Sequence, residues 1–229
     1  MIQDKKEFGI GLALLAAFLV VLGAIFSPLF DGGRNALDYL DNTFNSISKN
    51  AAYFIPGVAD KARQFEASEV TVRIKAADAG QAARLEKMLT VAEAKVTVEG
   101  NQLMVSGNLG RLIGNVLADA DLMFRNDGAA VAGKYDIEGK RALYDWHQAM
   151  SSMIRDLNRQ NMFQEGKMLR DVQAKALEPA YNYYGVEAIP MSSMLWVAMA
   201  ALIGYVIYTV WYGFAILFLF EGWGLRLSH

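Results

Sequence analysis

Two long runs without a single charged residue, 9–30 and 194–220, constrain this 229-residue chain more than any other feature. At about 1.5 Å of helical rise per residue they reach roughly 33 Å and 40 Å, whereas a bilayer's apolar core is about 30 Å thick. Each run is long enough to cross, so the sequence predicts a two-pass membrane protein. The stretch between them has ordinary globular composition and is long enough for one domain with its own core.

Absent residue types narrow the chemistry. The chain has no cysteine, which excludes thiolate catalysis, iron–sulfur ligation and disulfides, and suits an oxidising compartment. Net charge is −2 and no run of Lys or Arg occurs, so nucleic acid is excluded as a partner. Of the two histidines, His147 lies between the spans and His229 beyond the second, on opposite membrane faces if both spans cross. A zinc site is therefore not expected, and neither is any other metal or cofactor.

Short flanking segments set orientation. Lys5 and Lys6 precede the first span and Arg226 follows the second, while Asp31, Arg34, Asp38 and Glu187 flank the inner ends. Residues 1–8 and 221–229 are thus expected in the cytoplasm and the central domain outside it, periplasmic in a bacterial inner membrane. A cleavable signal peptide shares the basic start and apolar run, but the best small-residue site, ending at Ala24, has bulky Leu22 two positions earlier. A retained signal anchor fits better.

Periodicity organises the middle. Residues 31–68 read as a helical connector, with Asn35 as a cap, an amphipathic stripe of Leu37, Leu40, Phe44 and Ile47, and a second short helix over 58–65. Val70, Val72 and Ile74 alternate with polar residues as a strand, and Ala82, Leu85 and Leu89 share a helical face. Val96 and Val98 form a strand, Gly100-Asn101 a tight turn, and Leu103 to Val105 its partner. A helix over 109–124 and a last strand over 129–137 complete β-α-β-β-α-β. That order over 69–137 is the split βαβ of ferredoxin-like domains. The expected class is an α+β membrane protein, two transmembrane helices flanking an extracytoplasmic ferredoxin-like domain with long flanking helices. Residues 138–190 read as a helical stalk whose seam is Leu143, Trp146, Met150, Met153 and Leu157, a candidate interface.

Gly9, Ala13 and Ala17 in the first span, and Ala200 and Gly204 in the second, are spaced to let helices approach closely. Tyr205, Tyr208 and Tyr212 repeat along one face of the second span, and their hydroxyls need partners in lipid. These eight residues are the expected membrane-helix interface, with a quinone or lipid headgroup as the lesser alternative at the tyrosines. Gly107-Asn108-Leu109-Gly110-Arg111 opens a helix where a phosphate could rest, but the glycine spacing favours a cap with Gly114 in close packing. In Asp145-Trp146-His147 the outer two residues read as a solvated face beside the seam, so no catalytic residue is assigned. Met150, Met153, Met162 and Met168 read as core, not copper ligands.

In outline, the plan of span, α/β domain with helical stalk, and span resembles that of polysaccharide co-polymerases, although the Pro-rich approach to the second span is reduced here to Pro179 and Pro190. That resemblance implies a ring-forming regulator of glycan chain length. An extracytoplasmic sensor or ligand-binding subunit is a further alternative. The leading expectation is a non-enzymatic, oligomerising inner-membrane scaffold or accessory subunit, partnered by the lipid bilayer and by itself or other membrane-complex subunits. Its cytoplasmic ends are too short to fold alone.

Overall fold

The structure is a computed structural model that describes residues 2–29 and 32–225. Phe30, Asp31, Arg226 and His229, used above for a span end, orientation and metal binding, lie outside the described residues.

Two compact units divide the chain, one of residues 1–47 with 188–229 and the other of 48–187. The first contains α1 (Lys5–Phe26), most of α2 (Ala36–Ala51) and α10 (Met191–Gly222). Both α1 and α10 are long and apolar enough to cross a membrane. Helix α1 begins upstream of the apolar run because Asp4 caps it, its carboxylate accepting from the Lys6 and Glu7 amides. It stops at Phe26 instead of residue 30, since Pro28 disfavours helical geometry at Ser27. Asn35 caps α2 through a 2.9 Å bond from the Asp38 amide, and of the α2 stripe Leu37 and Phe44 stay exposed.

The second unit holds α3 (Ile55–Ala62), a 3-10 turn at Arg63–Phe65, β1 (Glu69–Lys75), α4 (Ala79–Val91), β2 (Lys95–Glu99), β3 (Gln102–Asn108), α5 (Leu109–Phe124), α6 (Gly128–Tyr135), α7 (Gly139–Arg159), α8 (Phe163–Val172), a π-helical turn at Gln173–Leu177 and α9 (Glu178–Asn182). Helix α3 starts at Ile55, earlier than expected, because Pro56 suits a first helical turn. The sheet has three antiparallel strands in the order β1-β3-β2. Val70, Val72, Ile74, Leu103 and Val105 point into a core shared with α4, α5, α7 and α8, while Thr71, Arg73, Thr97 and Met104 face solvent.

The expected fourth strand is a helix. Asp127 accepts from the Ala130 amide at 3.1 Å, Ala129, Ala130 and Ala132 favour helix, and Val131 and Tyr135, four apart, are both buried. The ferredoxin-like order is therefore not reproduced. In place of a fourth strand, α7 closes the outer edge of β1 with side chains. The Arg73 amide donates to Asp156 Oδ2 at 2.9 Å, and Gln160 Nε2 donates to the Thr71 carbonyl at 2.9 Å. Both edge groups are satisfied without a strand.

Helix α7 packs back on β1 and α5, and α8 packs on α7 and α5, so residues 138–187 belong to the domain and do not form a separate stalk. Leu143, Trp146, Met150, Met153 and Leu157 are core residues, not an outward seam. Met168 is buried with them and Met162 half-buried.

Candidate functional site

The two apolar helices α1 and α10 pack through glycines other than the predicted ones. A Cβ on Gly11 would lie 2.6 Å from the Leu219 nitrogen and 3.0 Å from the Ala215 carbonyl oxygen, and one on Gly222 would lie 2.7 Å from Phe8 Cα. These contacts need glycine, and they bring α1 and α10 together as an antiparallel pair. Phe18 stacks on Tyr208 at 4.2 Å between centroids, and the Trp211 indole donates to the Leu14 carbonyl at 3.1 Å. Thus Tyr208 contributes to the pair inside the chain.

Tyr212 also meets Phe18, with ring centroids 5.1 Å apart, while the other predicted interface residues point away from the pair. A Cβ on Gly9 or Gly204 would meet nothing within 4 Å. Ala13, Ala17 and Ala200 are exposed, as are Tyr205, at 69%, and Tyr212. The hydroxyls of Tyr205 and Tyr212 make no hydrogen bond among the described residues. The pair therefore presents two small-residue strips and Tyr205 outward, and a cleft of roughly 640 Å³ is lined by residues that include Leu14, Val210, Trp211 and Phe214.

Inside the domain, two fully buried carboxylates organise the helices. Asp119 on α5 accepts from Tyr135 Oη at 2.6 Å, Trp146 Nε1 at 2.9 Å and Lys134 Nζ at 2.7 Å. Asn115 joins by accepting from Lys134 Nζ and donating to Tyr135 Oη. Burial, reinforced by the neighbouring carboxylate, pushes the Tyr135 phenol far above its ordinary value, so it serves as a fixed donor and not as a base.

Asp145 on α7, expected on a solvated face, is 0% exposed. It accepts from Arg84 Nε at 2.6 Å and Gln81 Nε2 at 2.9 Å, both on α4, and Arg141 lies 3.5 Å away. Its neighbour His147 points elsewhere, with Nε2 3.4 Å from Glu178 on the rim of a groove of about 250 Å³ between α7 and α9. The π-helical turn beside that groove is held by Gln173, whose Nε2 donates to the His147 carbonyl and to Ser151. Asp145 and His147 therefore share no site.

A third buried charge is Lys49, at the end of α2. Its ammonium donates to Asn126 Oδ1 and to the carbonyls of Tyr183 and Val186, at 3.0, 3.1 and 2.7 Å. Burial lowers its pKa and Glu187 partly opposes that shift. At the start of α5, Asn108 accepts from the Arg111 amide at 3.1 Å and so caps the helix. Gly110 is the close contact there, with Glu66 Cα 2.7 Å from its virtual Cβ, whereas Gly114 has open space.

Sequence reasoning missed Asp119, Lys134 and Tyr135. The signal was present, since Leu112, Val116, Asp119, Ala120 and Met123 share one helical face, and an acid on such a face needs a buried cation or donors. No group of three or more His, Asp or Glu able to hold a metal ion occurs among the described residues. Comparison with known proteins finds no family model, no curated protein and no solved structure that matches this chain.

Proposed function

We propose that the chain is a non-enzymatic, two-pass scaffold or accessory subunit of the bacterial inner membrane, acting by assembly with itself or with other membrane subunits, with residues 48–187 on the periplasmic side. One observation carries the reading. The α1–α10 pair is completed by Gly11 and Gly222, yet Gly9, Ala13, Ala17, Ala200, Gly204 and Tyr205 remain outward. Small outward residues allow close helix contact in lipid, and tyrosine hydroxyls in an apolar span gain from a protein partner. The charges buried in the domain are occupied by internal partners, which supports a binding role over a catalytic one.

The test is native mass and composition after gentle detergent extraction, for the unmodified chain and for Gly204→Leu. The unmodified chain is expected as a homo-oligomer or in stoichiometric complex with other subunits. The substitution meets open space within the chain and is expected to reduce assembly without unfolding the domain. A monomer without partners would overturn the proposal, and unchanged assembly of the variant would remove the Gly204 face from it.

A further inference from the structure

The two edges of the sheet are treated differently. On β1 the outward backbone groups include those of Thr71 and Arg73, and residues of α7 and its C-terminal end bond the Arg73 N–H and the Thr71 carbonyl. Because Arg73 lies opposite Met104 and Thr71 opposite Ser106, the backbone groups of Met104 and Ser106 turn to the other side, toward β2. Their partners there are Thr97 and Lys95, so the N–H and C=O groups of Val96 and Val98 point out of the sheet. Among the described residues, no strand pairs with β2 on that side. The side chains of Val96 and Val98 are also only half-buried, unlike those of Val72, Ile74, Leu103 and Val105.

The sequence of this edge, Lys95-Val96-Thr97-Val98-Glu99, is complementary to itself when run antiparallel. Centred on Thr97, Lys95 falls opposite Glu99 of a second copy and Glu99 opposite its Lys95. Val96 and Val98 then face each other as hydrogen-bonded pairs, and Thr97 faces Thr97 as a non-hydrogen-bonded pair, which is the parity the sheet already imposes. Neither Lys95 nor Glu99 forms an ion pair within the chain among the described residues. An edge that only needed protection from pairing is better served by like charges, which repel across the same register.

We infer that the β2 edge is a homodimer interface, at which two copies join their sheets antiparallel about Thr97 into one six-stranded sheet. This deepens the proposed assembly by naming a partner and a surface outside the spans. The contact is short, and confinement of both copies to one membrane supplies the effective concentration it needs.

The absence of native cysteine allows a direct test in membranes containing the full chain. In the proposed register the Thr97 Cα atoms lie about 4.5 Å apart, within disulfide range, whereas those of Met104, one strand further in on each copy, lie about 14 Å apart. Thr97→Cys should give a disulfide-linked dimer under mild oxidation, and Met104→Cys, exposed on the same face, should not. Adding Lys95→Glu to Thr97→Cys places acid opposite acid and should lower the dimer yield about tenfold, and further adding Glu99→Lys should restore it. Equal yields from the two cysteines, or no rescue by the reciprocal change, would overturn the inference. Loss of the Thr97 cross-link while native mass still reports an assembly refutes this edge alone. A monomeric native mass refutes the wider reading.

Discussion

Removing the cation from the Asp119 centre should be among the most damaging single changes available in the domain. The Lys134 ammonium sits 2.7 Å from Asp119 Oδ1, and the carboxylate is fully buried. At an effective dielectric of about 20 that separation corresponds to roughly 6 kcal/mol of attraction, opposed by desolvation of both groups. Breaking one side of a buried pair costs about 3–5 kcal/mol, because the remaining charge is stranded. Lys134 keeps 27% of its side chain exposed, which places Lys134→Met at the lower end, about 3 kcal/mol. Urea-dependent pulse proteolysis of the full chain in micelles reads this loss as a lower midpoint for cleavage within 48–187. Adding Asp119→Asn removes the stranded charge and should recover most of the deficit. A cost below about 1 kcal/mol for Lys134→Met, or no recovery in the double variant, would refute the view that Lys134 compensates a buried charge.

Tyr135→Phe should cost about 1.5–3 kcal/mol at neutral pH, the worth of a hydrogen bond to a charged acceptor, and should also flatten the alkaline limb of stability. The folded phenol titrates far above its ordinary value of 10.0, so above that pH the unfolded chain loses this proton first and stability falls as pH rises. Lys49, lowered by burial, acts in the opposite direction in the window below 10.5, but it does so in both proteins and cancels in their difference. The same proteolysis assay, run across the alkaline range, checks the slope. Gly11→Val should push α1 from α10, since its Cβ has only 2.6 Å to the Leu219 nitrogen, while Gly9→Val meets nothing within 4 Å. Cross-linking between cysteines placed at Phe18 and Tyr208, whose rings stack, should drop sharply for the first and not for the second.

What was legible in the sequence followed from periodicity and composition. Two uncharged apolar runs gave helices α1 and α10, strict alternation gave β1, and Gly100-Asn101 gave the β2–β3 hairpin. The segment 129–137 reads as a strand because a Val and an Ile stand among alanines, whereas a cap at Asp127 and two buried residues four apart make it a helix. The seam of α7 was legible as a seam but not as interior, since periodicity identifies an apolar face without naming what covers it. Glycine spacing failed in the spans for a related reason. Many positions carry small residues, and only the relative rotation of the two helices selects Gly11 and Gly222 over Gly9 and Gly204.

The missing fourth strand also bears on why the domain carries charges in its core. Without that strand, α6 and α7 are not registered by a ladder of backbone bonds, and side chains take over. Asp156 and Gln160 fix α7 to β1, Asp145 fixes α7 to Arg84 on α4, and Asp119 ties α5 to Lys134 on α6 and Trp146 on α7. A shifted packing of any of these helices would strand a charge, whereas an apolar contact could slide. The expected outcome is therefore that Asp119→Asn with Lys134→Met retains most of the stability yet loosens α6. Amide exchange across Gly128–Tyr135 should quicken in that double variant relative to α4, which keeps its own pair with Asp145. Unchanged exchange in α6 would mean that Val131 and the Asp127 cap already hold the helix, and that the buried pair contributes stability without registry.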